Sequence, residues 1–188
     1  VEVHAVYEPR QQGGENDVLL ADGWKDELTQ AHTVAAGLGL RCLGIVVSHA
    51  EVEFNVGDAE LALAGWLADE ARARAGGQAV VRDDDNDDDD DGPPGPVFLV
   101  VVCSVDEHCD VVLEPFEVTD RYLQLYRRGL VSTRLPEVAA ASPAMNAKVA
   151  FKREVYVDRQ YVTAVDTDYF ILPLAINSFS GSLTSTFP

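Results

Sequence analysis

Residues 44–66 read GIVVSHAEVEFNVGDAELALAGW. With the residues just before them, Leu40 to Val47 (LRCLGIVV) make a nearly continuous apolar run. That is the pattern of a central strand covered on both faces. Ser48 and His49 follow, then a short polar stretch, and Asp58 is placed to cap a helix that runs to about Ala75. Leu63, Trp66, Leu67 and Ala71 are expected on its buried stripe, with Gly76-Gly77 as its stop. Glu70 and Arg74 lie one turn apart on its solvent side, a pairing worth only about 0.2–0.5 kcal/mol. The loop of such a strand–loop–helix unit is where α/β folds commonly carry function.

Upstream, Val1 to Tyr7 alternates as VEVHAVY, which reads as a half-buried strand ended by Glu8-Pro9. Gly13-Gly14 and Asn16-Asp17 are loop chemistry. From Trp24 to Leu38, Leu28, Ala31, Ala35 and Leu38 recur at helical steps, and Gly37 and Gly39 mark the end of that helix. A chain opening in a strand pattern at Val1 is expected to be a piece of a longer protein, with an open strand edge where earlier strands are missing.

Downstream, Val97 to Val105 (VFLVVVCSV) is the most apolar strand, with Val111 to Pro115 as its hairpin partner across Asp106-Glu107-His108. Thr119 caps a helix with the stripe Val118, Tyr122, Leu125 and Tyr126, closed by Gly129. Residues 132–147 read as a linker, and strands are expected at Val149–Val157, Tyr161–Val165 and Tyr169–Ile176. The division is thus an α/β domain over 1–131, the linker 132–147, and a β-rich segment over 148–188. The fold class is α/β, a mixed sheet with flanking helices and a β-rich extension.

The 188 residues are 47% hydrophobic, enough for a real core without disulfide staples. The formal net charge is −18, and the run DDDNDDDDD at 83–91 holds eight of the acids, leaving −10 elsewhere. That balance speaks against a nucleic-acid backbone or an anionic membrane surface as the main partner. The run and the GPPGP that follows, together 83–96, cannot fold alone and read as a solvated insertion; an acidic tether for calcium or basic partners is the other reading. Three cysteines make no disulfide framework and fit a reducing compartment. No run of apolar residues is long enough to span a membrane.

Two places could carry chemistry. Cys103, His108 and Cys109, with Asp106 and Glu107 between them, are metal-ligand types near a hairpin tip, although a cysteine in an apolar strand is usually a small core residue. Ser48-His49 is the second place. There the chain resembles the metal-site segment of the MPN fold, whose active metalloproteases carry His-x-His-Pro, seven residues, then Ser-x-x-Asp, with a Glu on an earlier strand as general base. An open zinc site needs three protein ligands before the metal can acidify its water. On this chain the first His position is Val47, the second is His49, the Pro is Ala50, the Ser is Asp58 and the Asp ligand is Leu61. One ligand of three remains, no Glu can be assigned as the base, and a hydrogen-bonded or surface histidine is the expected state of His49.

A closer match runs nearly end to end. VHAVYEP (3–9), GLGLRCLGIVVS (37–48), the helix Glu60–Glu70, VVLEPFEVTDRYLQLYRRGLV (111–131) and DTDYFILPLAINSFSGSLTSTFP (166–188) resemble the nuclear protein localisation protein 4 family. Ile45 stands where the family strand has Trp, and Arg10 where it has a second Pro. The resemblance implies a catalytically dead MPN domain in an adaptor that pairs with a ubiquitin-fusion-degradation partner. Together they would bring ubiquitin-tagged proteins to the hexameric AAA unfoldase valosin-containing protein, for proteasomal and ER-associated degradation. It implies no cofactor, no catalytic or metal residue, and a cytoplasmic and nuclear location that extends to the ER surface. It carries no individual ubiquitin-contacting residue onto this chain. A zinc isopeptidase and an unrelated acidic α/β scaffold are the alternative readings.

Overall fold

Burial of two valine-rich strands under one small-residue helix organises the molecule. A computed structural model describes residues 2–13, 18–49, 56–74, 97–131, 147–157 and 159–176. The elements are β1 (Gln11–Gly13), β2 (Val18–Leu20), α1 (Trp24–Gly37), β3 (Gly44–Ser48), α2 (Asp58–Arg74), β4 (Leu99–Val105), β5 (Val111–Val118), α3 (Asp120–Arg127), β6 (Lys148–Val157), β7 (Gln160–Asp166), a 3-10 turn (Thr167–Phe170) and β8 (Ile171–Pro173).

The main sheet has the order β3-β4-β5-β8. β3 runs parallel to β4, with Val46 opposite Val101, while β4–β5 and β5–β8 are antiparallel. The architecture is therefore mixed α/β, a mixed sheet with flanking helices, as expected. Val100 and Val102 on β4 are fully buried, as are Val56 and Leu61 at the start of α2. Gly65 lets α2 approach α3 closely, since a Cβ there would stand 2.6 Å from the Tyr126 ring. Trp24 meets Trp66 edge to face at 4.8 Å and docks α1 onto α2. β6 and β7 form a separate ribbon, tied to the rest by the Val131–Phe151 bridge and by Phe151 against Phe170. β8 returns to β5, so residues 171–173 belong to the main sheet although they follow the ribbon in sequence.

Several sequence expectations need correction. Residues 2–10 form no strand. Alternation favours a strand only where the segment pairs with another, and residues 2–10 pair with none of the described strands. Instead Tyr7 donates its hydroxyl to Glu27 at 2.6 Å, and Arg10 Nε binds the same carboxylate at 3.0 Å. β3 begins only at Gly44 and lies at the sheet edge among the described residues, and Val46, on the face away from α2, is 54% exposed; the apolar run cannot distinguish an edge strand from a central one. The α1 stripe fades toward its end, and Leu38 is 71% exposed. On α2 the buried set is Ala59, Leu61, Ala62, Ala64, Gly65, Leu67 and Ala68, while Leu63, Trp66 and Ala71 are half-buried. Alanines let both flanks of the helix be covered, so a narrow stripe misjudges its phase. The expected strand Tyr169–Ile176 is split between the 3-10 turn and β8.

Other expectations hold. Thr119 caps α3, its hydroxyl accepting from the Tyr122 amide at 3.4 Å, and Gly129 closes the helix with φ of 64°. Glu70 and Arg74 pair at 3.3 Å. The Asp run at 83–91, GPPGP at 92–96 and residues 132–146 of the linker lie outside the described residues.

Candidate functional site

The sheet ladder continues one residue past β3. The His49 amide donates to the Cys103 carbonyl at 3.0 Å, which fixes the histidine at the carboxyl end of the strand. Its imidazole is nearly enclosed, with 6% of the side chain exposed, and Glu60 Oε1 accepts from Nε2 at 2.7 Å. The other Glu60 oxygen accepts from the Gly57 amide at 2.8 Å. Glu60 is the third residue of α2 and reaches back to the residue before the helix, which is half of a capping box. Asp58, expected as the cap, is instead the first helical residue, and its Oδ1 accepts from the Ala59 amide at 2.9 Å.

This arrangement couples the strand end to the helix start through one carboxylate. The Glu60 hydrogen bond raises the His49 pKa above its ordinary 6.5, against the opposing effect of burial. Ser48 faces the other side of the strand, as alternation requires, and is exposed.

The two remaining positions that would complete a zinc site are apolar. Val47 is packed against the core, and Leu61 is 0% exposed within it. Neither offers a donor atom. Among the described residues, no group of three or more His, Cys, Asp or Glu side chains is gathered to hold a metal ion.

The hairpin candidates are dispersed. Cys103 is half-buried in mid-strand opposite Leu113, whereas His108 and Cys109 are exposed in the β4–β5 turn. Asp106 has a turn-forming role, its Oδ1 accepting from the amides of His108 at 2.8 Å and Asp110 at 2.9 Å. Cys109 takes a positive φ of 63° in that turn.

Sequence reasoning missed two features. Glu60 had a signal, because a Glu three residues beyond Gly57 fits a helix start, but pairing with His49 required knowing how α2 meets β3. The second is the sheet face away from α2. Cross-strand partners share a face, so Val46, Val101, Cys103, Leu113, Pro115 and Leu172 lie together there. Several are substantially exposed. Beside β5 and β8 runs an open groove of about 540 Å³, lined by Leu113, Pro115, Phe116, Ile171, Pro173 and Leu174, with Glu114 and Asp168 as its acidic members.

No protein-family model matches the chain. Among curated proteins it is similar to NPL4-like protein 1 and NPL4-like protein 2 of Arabidopsis thaliana, each 29% identical over 100% of this chain. It is also similar to the NPL4-like protein of Oryza sativa subsp. japonica, 25% identical over 99% of this chain. The chain spans 41% of the length of each of these relatives. Similarity along the whole chain, at 25–29% identity, supports the NPL4-like family.

Proposed function

We propose that this chain is the non-catalytic, ubiquitin-binding part of a substrate-recruiting cofactor of the AAA unfoldase valosin-containing protein. The observation that carries this reading is the His49–Glu60 pair, at the position where active MPN metalloproteases hold zinc. The one ligand-type histidine is engaged by a carboxylate, and Leu61 fills the place of an aspartate. Similarity to NPL4-like proteins along the whole chain supports the setting proposed here, an adaptor acting with a ubiquitin-fusion-degradation partner in the cytoplasm and nucleus. The unfoldase would be engaged through other parts of the full-length protein. No helix among the described residues is long and apolar enough to cross a membrane.

An apolar groove bordered by a sheet suits a polypeptide that offers apolar side chains, and a ubiquitin chain or an unfolded part of one has that chemistry. The test is equilibrium binding of lysine-48-linked tetraubiquitin to the full-length protein, with and without Leu174→Arg and Ile176→Arg. Both residues line the groove and are exposed, so the fold tolerates the change. Binding that falls at least about tenfold in the double variant supports the reading. Undiminished binding moves the ubiquitin site away from this groove.

A further inference from the structure

Charge is unevenly distributed along this acidic chain. Residues 121–159 hold eight basic and three acidic residues, a net of +5, while the rest holds six basic and 29 acidic. The fold brings part of that basic segment together. α3 ends with Arg127 and Arg128, and the Val131–Phe151 bridge lays the following residues beside β6. The Lys152 amide donates to the Leu130 carbonyl at 2.8 Å, and Lys152 Nζ comes within 3.9 Å of where a Cβ on Gly129 would stand. A register shift between Ala150 and Val155 breaks the in–out alternation of β6, so Lys152 and Arg153 are both exposed.

Arg127 is engaged by Asp69 at 2.9 Å. Arg128, Lys152 and Arg153 make no ion pair among the described residues. Glu154 is the acidic neighbour in sequence. Arg128 also stands at the carboxyl end of α3, where the helix dipole holds a cation in place.

We infer that Arg128, Lys152 and Arg153 form a docking surface for a short acidic peptide segment of a partner protein. Complementary charge is the argument, and segment length decides the class of partner. Screening confines a surface charge to about 8–10 Å at ordinary ionic strength. A short acidic segment therefore meets only the basic patch. A nucleic acid, a long uniform polyanion, extends past it onto a surface that is acidic overall. This surface is separate from the β5–β8 groove and does not depend on the ubiquitin reading.

The test uses the full-length protein and a fluorescein-labelled peptide of alternating Glu-Glu-Gly, read by fluorescence anisotropy across a salt series. Lys152→Glu with Arg153→Glu should weaken binding at least about tenfold, with Arg128→Glu additive to it. Arg41→Glu, at an exposed arginine elsewhere, changes net charge as much as Arg128→Glu does and should alter binding less than about twofold. If a charge reversal disturbs the fold by circular dichroism, Lys152→Gln with Arg153→Gln gives the same comparison. Equal weakening by Arg41→Glu, no peptide binding at all, or tighter binding of a 12-nucleotide oligouridine than of the peptide would overturn the inference.

Discussion

His49 Nε2 and Glu60 Oε1 lie 2.7 Å apart, joining the end of a sheet strand to the first turn of the helix that covers the sheet. Both side chains are largely withdrawn from solvent, at 6% and 12% exposure. Glu60 therefore has two tasks, holding the histidine and satisfying the Gly57 amide. Removing the carboxylate strips partners from both. We expect Glu60→Ala to cost about 1–3 kcal/mol of stability in chemical denaturation, more than an exposed acid-to-alanine change.

The same pair makes stability depend on pH. The His49 pKa is raised in the folded state, so its contribution is complete below 6.5 and is lost as pH climbs through the folded value. Urea unfolding at about pH 5.5 and about pH 8.5 should show a larger loss at the higher pH in the native protein than in His49→Gln. Equal losses in the two proteins would mean that the pair does not hold the imidazolium.

Restoring one of the two absent zinc ligands, at Leu61, should fail for a packing reason. Leu61 is 0% exposed beneath the sheet, and an aspartate there would bury a carboxylate among apolar side chains. Leu61→Asp should cost more than about 4 kcal/mol, or raise the carboxyl pKa until it is neutral. Thermal unfolding with and without added zinc reads this directly, and metal should not rescue the variant.

Two glycines are fixed by close approach. A Cβ on Gly44 would collide with the Leu99 backbone carbonyl, whereas one on Gly65 would meet only the Tyr126 ring. Overpacking costs about 1–3 kcal/mol where neighbours can yield. Gly65→Ala should fall in that range, and Gly44→Ala should exceed it, because a backbone atom in a paired strand cannot turn aside. Denaturant midpoints of the two variants provide the comparison.

What the sequence disclosed follows from how local each signal is. Thr119 and Gly129 bracket α3 because a cap and a left-handed stop are properties of single residues. The β4–β5 hairpin was equally legible, as a strongly apolar run and its partner meet across one turn. Edge position was not, because Leu40–Val47 has the same composition whether one neighbour or two flank it. Nor was the destination of β8, whose three residues reach β5 across the intervening ribbon. At the site, the apolar side chains Val47 and Leu61, which the fold packs against and within the core, were readable from the sequence alone. The Glu60 partner of His49 was not, since the pairing is set by the angle at which α2 enters over β3.

The most direct measurement is to incubate the full-length protein with lysine-48-linked tetraubiquitin, then determine chain length on a gel and zinc content by mass spectrometry in the same sample. We expect the chains to be retained intact, with less than about 0.1 zinc per His49 site, because one histidine does not supply the three ligands an open zinc centre needs. Shortened chains together with one zinc per molecule, both abolished by His49→Gln, would establish an isopeptidase and end the adaptor reading.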